Sequence, residues 1–211
     1  YGTIFGSEKV KKEISRLYES ISPEEILTEH GATGGNQHIF FSLIRPGDRV
    51  IAFSPSYQQF YSAPEALGAE VTVLRLRREN GYLPDLDELS QAAARGVRMI
   101  CLNNPNKPTG TLIPSDMLKD IVTIARQSGA YLFCDEVYSG VSIDGARSLS
   151  VCDLYEKGIA TGSMSKAFSL AGLRLGWLAT HDRQALAQFR RVRDYDLVRC
   201  GLFEEEIAAL A

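Results

Sequence analysis

A lysine, an aspartate and an arginine stand in this chain at spacings suited to carbonyl chemistry. Lys166 lies in the run Ser163-Met-Ser-Lys166-Ala-Phe-Ser-Leu-Ala-Gly172-Leu-Arg174-Leu-Gly176, and upstream an apolar stretch ends in Asp135-Glu-Val-Tyr138. A lysine amine can hold an aldehyde cofactor as a Schiff base. A carboxylate can keep a ring nitrogen of that cofactor protonated, so that the ring becomes an electron sink. Arg174, eight residues beyond the lysine, offers forked donors to a phosphate, and the glycines on either side let the backbone come close. Each part is common alone, but together and in this order they read as a pyridoxal phosphate site.

The elements that must carry these residues alternate along the chain. Helical spacing of Val10, Ile14 and Leu17 predicts a helix from about Glu8 to Glu19, followed by a short strand around Ile26 to Glu29. Gly31-Ala-Thr-Gly-Gly35 then opens a helix carrying Ile39, Phe40 and Leu43. Strands are predicted at Arg49 to Phe53, Glu70 to Leu76, Arg98 to Leu102, Tyr131 to Cys134, Ile159 to Gly162 and Gly176 to Ala179. Helices are expected at Gln58 to Leu67, at Asp85 to Arg95, from a Ser115 cap to about Gln127 with Gly129 at its stop, and from Arg183 to about Arg193. This alternation implies an α/β fold of three layers, a mostly parallel sheet with helices on both faces. No repeat or low-complexity linker interrupts it, so one domain is expected.

At 211 residues, with 45% apolar content and a net charge of −3, the chain has material for one sizeable core and reads as soluble. The mild acidity, without a basic block or a Lys/Arg-rich amphipathic face, argues against nucleic-acid and membrane partners. No apolar run approaches the roughly 20 residues that span a bilayer. There is no signal-peptide pattern, although the chain opens at Tyr1 rather than Met and upstream sequence is expected to be missing. Cys101, Cys134, Cys152 and Cys200 show no C-x-x-C spacing and read as reduced core thiols of a cytoplasmic protein. His30, His38 and His181 have no ligand spacing, so no metal is expected.

Gly31 to Thr33, Tyr57, Asn103 to Gly110, Asp135 with Tyr138, and Ser163 to Lys166 all follow predicted strands. In an open α/β sheet that is the edge where ligands bind. Asp135 ends a strand so apolar that its carboxylate needs a buried partner, and a protonated ring nitrogen would be one. Period-two alternation turns Cys134 to the opposite face, as packing. Gly31, Ala32 and Thr33 open a helix whose free N–H groups would cradle a phosphate.

These motifs resemble the class I and II aminotransferases of fold type I, the aspartate aminotransferase superfamily, over essentially the whole chain. The resemblance implies a pyridoxal 5'-phosphate enzyme that moves an amino group from an amino acid to a 2-oxo acid. Lys166 would bind the cofactor and move the proton at the substrate α-carbon. Tyr138 would reach the cofactor's phenolic oxygen, Tyr57 would stack on the ring, and Ser163 and Arg174 would join the phosphate ligands. Tyr1 matches a tyrosine that reaches the phosphate of the neighbouring subunit, which implies a homodimer with shared active sites.

One position departs from the pattern. The family run Asn-Pro-x-Asn-Pro-Thr-Gly appears as Asn104-Pro-Asn-Lys107-Pro108-Thr-Gly110, so Lys107 stands where an amide donor is expected. Pointing inward, its cation would stabilise the phenolate and lower the pKa of the protonated imine. Pointing outward, it would leave the place to Asn106 or water. Both orientations stay open at the level of sequence.

Family members are nearly twice this long. The chain is therefore expected to be most of the large domain, without the N-terminal arm and the C-terminal small domain that carries the substrate-carboxylate arginine, and to be inactive or nearly so alone. Same-fold lyases and decarboxylases use the same lysine, aspartate and arginine. A ligand-sensing domain behind a DNA-binding module of roughly 60 to 80 residues is a different class. A degenerate remnant that binds nothing is a third.

Overall fold

The computed structural model describes residues 2–141 and 148–211. Seven strands form one sheet: β1 (Ile26–His30), β2 (Arg49–Ser54), β3 (Glu70–Arg75), β4 (Met99–Asn103), β5 (Tyr131–Asp135), β6 (Gly158–Ser163) and β7 (Leu175–Ala179). Their order is β1-β7-β6-β5-β4-β2-β3. Only β7 runs against the rest, pairing antiparallel with both β1 and β6. The mostly parallel sheet expected from the alternation is the one present.

Parallel strands need long crossovers, and the helices supply them. On one face α2 (Gly31–Leu43), α3 (Gln59–Ala66) and α7 (Arg183–Asp196) cover Val50, Ala52, Cys101 and Phe133. The Phe133 ring meets Phe40 and Phe60 edge-on, with centroids 5.6 and 5.5 Å apart. On the other face α4 (Leu86–Ala93), α5 (Ser115–Ser128) and the short α6 (Val151–Leu154) pack on Ile100, Leu102, Leu132 and Cys134. Cys134 is fully buried there, as the period-two reading required. A third cluster joins α1 (Glu8–Ser15) and α8 (Leu202–Ala208) to Ile26, Trp177 and Ala179.

Three expectations are corrected. The first helix ends at Ser15 rather than Glu19. Arg16, Leu17 and Tyr18 donate three residues back, which tightens the last turn. The Asp153 carboxylate then takes the N–H groups of Glu19 and Ser20 at 3.1 and 2.9 Å, drawing the chain off the helical path. Ser115 is the first residue of α5, not its cap; Pro114 precedes it, and the Pro114 carbonyl accepts from Leu118 N–H. Third, α7 runs on to Asp196, because Arg193 is drawn wholly inside, where its guanidinium donates to the carbonyls of Thr28, Ile4 and Val198. All four cysteines are free and buried, and among the described residues no helix is long and apolar enough to cross a membrane.

β2 and β4 are neighbours, with β3 outside one and β5 beyond the other. The winding direction therefore reverses between them, and in such sheets a crevice opens at that point beyond the strand C-termini.

Candidate active site

The loops after β2, β4, β5 and β6 and the start of α2 enclose a cavity of about 240 Å³. Of the eleven residues singled out from the sequence, nine line it: Ala32, Thr33, Tyr57, Lys107, Asp135, Tyr138, Ser163, Lys166 and Arg174. Gly31 lies directly behind the wall. Its φ is +65°, and a Cβ there would come within 2.7 Å of an Arg174 guanidinium nitrogen, so only glycine lets the arginine lie against the helix start. Tyr1 lies outside the described residues.

One end of the cavity is built for an anion. The first-turn N–H groups of α2 have no intrahelical partner, and no side chain caps them. Gly176 lets β7 pass beside them, since a Cβ there would meet the Gly31 carbonyl carbon at 2.4 Å. Arg174 completes this end. Its backbone is left-handed at φ +53°, and its guanidinium donates to Ser165 Oγ at 3.2 Å and Ala171 O at 2.9 Å. Ser165, which sequence reasoning passed over, donates its N–H to Ser163 Oγ at 3.3 Å and also lines the cavity.

Lys166 is held between two anchors. Met164 is buried, bonded to β7 through its N–H to Leu175 O, and Phe168 packs edge-on against Trp177 at 6.4 Å. The turn between them projects the lysine into the cavity, with Nζ 6.0 Å from the centre of the Tyr138 ring.

Asp135 stands at the far end of β5 and is 4% exposed. Burial pushes its carboxyl up from 3.8 to about 6, against the hydrogen bonds from Asn36 and Val137 N–H and the nearby charge of Lys107, which pull it down. The Asn36 amide donates to Asp135 Oδ2 at 3.1 Å and to Gln59 Oε1 at 3.1 Å, and accepts from Thr161 Oγ1 at 2.8 Å. Gln59 in turn donates to Thr33 O at 3.1 Å. A chain of amides thus ties the strand-end acid to the anion-binding end. Asn36 was missed, yet it falls at helical spacing with Ile39, Phe40 and Leu43, and a polar residue on that apolar stripe is the signal that could have found it.

Lys107 lines the cavity while staying exposed to solvent. Its Nζ lies 5.1 Å over the Tyr57 ring, and its charge is felt at Asp135. Asn106 does not take its place. That amide donates to Pro55 O and Thr109 Oγ1, fixing the loop instead.

The sequence profile of the class I and II aminotransferases matches residues 1–199. The chain is 33% identical over 156 residues to an LL-diaminopimelate aminotransferase of Syntrophobacter fumaroxidans, covering 72% of this chain and 40% of that protein. It is 27% identical over 210 residues to a capreomycidine synthase of Streptomyces vinaceus, across 100% of this chain and 54% of the relative. Among solved structures, a PLP-dependent aminotransferase from Streptococcus suis superposes with a TM-score of 0.95 at 44% identity, covering 100% of this chain and 56% of that one. The chain therefore spans about half the length of the curated relatives it matches.

Proposed function

The chain belongs to the class I and II aminotransferase family, and on that premise we propose that it supplies the cofactor-binding large domain of an enzyme transferring an amino group from an amino acid to a 2-oxo acid. The family's cofactor is pyridoxal 5'-phosphate, and the residues present fit it. One end of the cavity offers helix N–H groups, Ser163 and Arg174 to a phosphate. The other offers a carboxyl, raised to about 6 by burial, to a ring nitrogen. When bound, the group supplies an electron sink for the pair released at the substrate α-carbon.

The chain's own residues do the rest. The Lys166 amine attaches the cofactor and then carries the proton to and from the substrate α-carbon. Asp135 keeps the ring nitrogen protonated, and Asn36 and Val137 N–H hold the carboxylate in line. Tyr57 would stack on the ring, and Tyr138, whose ring centre lies 6.0 Å from Lys166 Nζ, would reach its phenolic oxygen. The observation that carries this reading is that the Lys166 amine and the Asp135 carboxyl face a single cavity.

A homodimer is proposed on the match of Tyr1 to a residue that reaches across subunits, and a cytoplasmic setting on four unpaired buried thiols. The test is to load the full-length protein with pyridoxal phosphate, offer a panel of amino acids, and follow pyridoxamine phosphate and the oxo acid by mass. Both products are expected, with turnover falling at least about a thousandfold in Lys166→Ala. Release of carbon dioxide or of a side-chain fragment in their place would refute transamination.

A further inference from the structure

The cavity carries three cationic side chains, Lys107, Lys166 and Arg174, against the single carboxyl of Asp135. Arg174 is committed to the anion-binding end by its bonds to Ser165 and Ala171 and its contact with Gly31. Lys107 belongs to the other end. Its ammonium faces the Tyr57 ring and Asp135, while Tyr138 stands on the same wall beside Lys166.

The position of Lys107 is built rather than incidental. Its N–H donates to Asn103 Oδ1 at 2.8 Å, and the same Asn103 amide donates to Asp135 O at 2.8 Å, so one side chain locks the Lys107 backbone to the strand-end acid. Prolines 105 and 108 flank the lysine, and Asn106 pins the loop to Pro55.

We propose, resting on the cofactor reading above, that Lys107 sets the charge state of the bound ring: its ammonium stabilises the ring's one acidic hydroxyl as an anion and opposes protonation of the Lys166 nitrogen linked to the cofactor. The chemistry follows from placement. A cation at the phosphate end would only add to Arg174, whereas one beside Asp135 and Tyr57 faces the ring. Two like charges in one cavity disfavour each other, so Lys107 keeps the Lys166 nitrogen unprotonated at a lower pH than a neutral residue would. The other titratable groups facing Lys107 are Asp135, Tyr57, Tyr138 and Lys166 itself. Lys107 is a positioning residue in this account, acting through charge on the group that Lys166 holds.

The experiment is a pH titration of the visible absorbance of the full-length, cofactor-loaded protein without substrate. Lys107→Asn and Lys107→Gln are expected to move the midpoint up by about one pH unit, while Lys107→Arg stays near the parent protein. In about 1 M salt the gap should shrink, because Lys107 is exposed and screening reaches it. Coincident midpoints for the parent and both neutral variants overturn the proposal. So does a raised KM with an unmoved midpoint, which would assign Lys107 to the substrate. Lys166→Ala is the separate control: loss of the band supports the cofactor reading and its persistence would defeat that reading and this proposal with it, whereas coincident midpoints with a Lys166-dependent band defeat this proposal alone.

Discussion

Asp135 and Glu136 are adjacent carboxylic acids at the end of one strand, and they face two different interiors. Asp135 looks into the open cavity, with its carboxyl raised to about 6. Glu136 turns to the other side, where burial raises it to about 8 despite hydrogen bonds from Ser150 Oγ at 2.9 Å and Val151 N–H at 3.1 Å. Those donors belong to the start of α6, and Glu136 lines a void of about 40 Å³. Perturbed acidity alone would rank Glu136 first. What separates the two is room: beside Asp135 the cavity is about 240 Å³, whereas the void beside Glu136 is about 40 Å³ and the protein's own donors already meet the carboxyl.

The strongest way to break this contrast is through cofactor affinity. On the proposed reading, Asp135→Ala removes the acid that would meet the ring nitrogen through a charge-assisted hydrogen bond, and should weaken pyridoxal phosphate binding by about 10- to 100-fold. Glu136→Gln keeps an oxygen for Ser150 and Val151 and should change affinity by no more than about twofold. Equilibrium absorbance titrations with the cofactor measure both. Equal losses would mean that the two acids are not divided between site and scaffold.

The pH dependence of stability sharpens the same contrast. Each carboxyl binds its proton more tightly folded than unfolded. The stability it contributes is therefore present in full below its ordinary value and is lost as pH rises through the folded one. For Asp135 that window runs from about 4 to 6, for Glu136 from about 4.5 to 8. The Asp135 rise corresponds to at most about 3 kcal/mol. Thermal unfolding of the unloaded protein should show stability declining across both windows. Loading the cofactor should abolish the lower limb, because the buried acid gains its cation, and Glu136→Gln should flatten the upper one. Because the two windows overlap, the decisive case is the Glu136→Gln background, where a loaded protein that still loses stability between pH 4 and 6 would separate Asp135 from the ring nitrogen.

How far this could be read from the sequence follows the same division. Lys166, Asp135, Ser163 and Arg174 were legible because each sits at a strand end or in a glycine-flanked turn, where periodicity changes abruptly and the polar residue stands out. The sheet was legible because apolar runs such as Tyr131 to Cys134 alternate with helical stripes. What escaped was held by long-range partners. α8 forms around Glu205, a buried acid that accepts from Thr28 Oγ1 and Ser7 N–H, and a glutamate-rich segment gives no apolar stripe to announce it. The loop that carries Lys107 is pinned through Asn106 to Pro55, 51 residues away, a contact that spacing within the loop does not encode. Asn36 lay in plain view on an apolar face, but its partners Asp135 and Thr161 are 99 and 125 residues away.

Asn36 carries the smallest of the expected effects and the finest test of the contrast. Asn36→Leu keeps the heavy-atom count and branching on the buried stripe of α2, at a larger volume, but withdraws one of the donors on Asp135 and strands the Thr161 hydroxyl. Cofactor affinity should fall about tenfold, the weight of one hydrogen bond to a charged acceptor, with about 1 to 3 kcal/mol of stability lost to the unpaired hydroxyl. A purely structural role would produce the same two losses. The distinguishing measurement is the carboxyl titration of Asp135 in the unloaded protein, followed by NMR of carbon-labelled aspartate. Because the amide bonds the ionised form, its removal should lift the Asp135 midpoint above 6 while leaving Glu136, which Asn36 does not touch, where it was. An unmoved Asp135 would reduce the amide chain to packing, and the acid would owe its alignment to Val137 N–H alone.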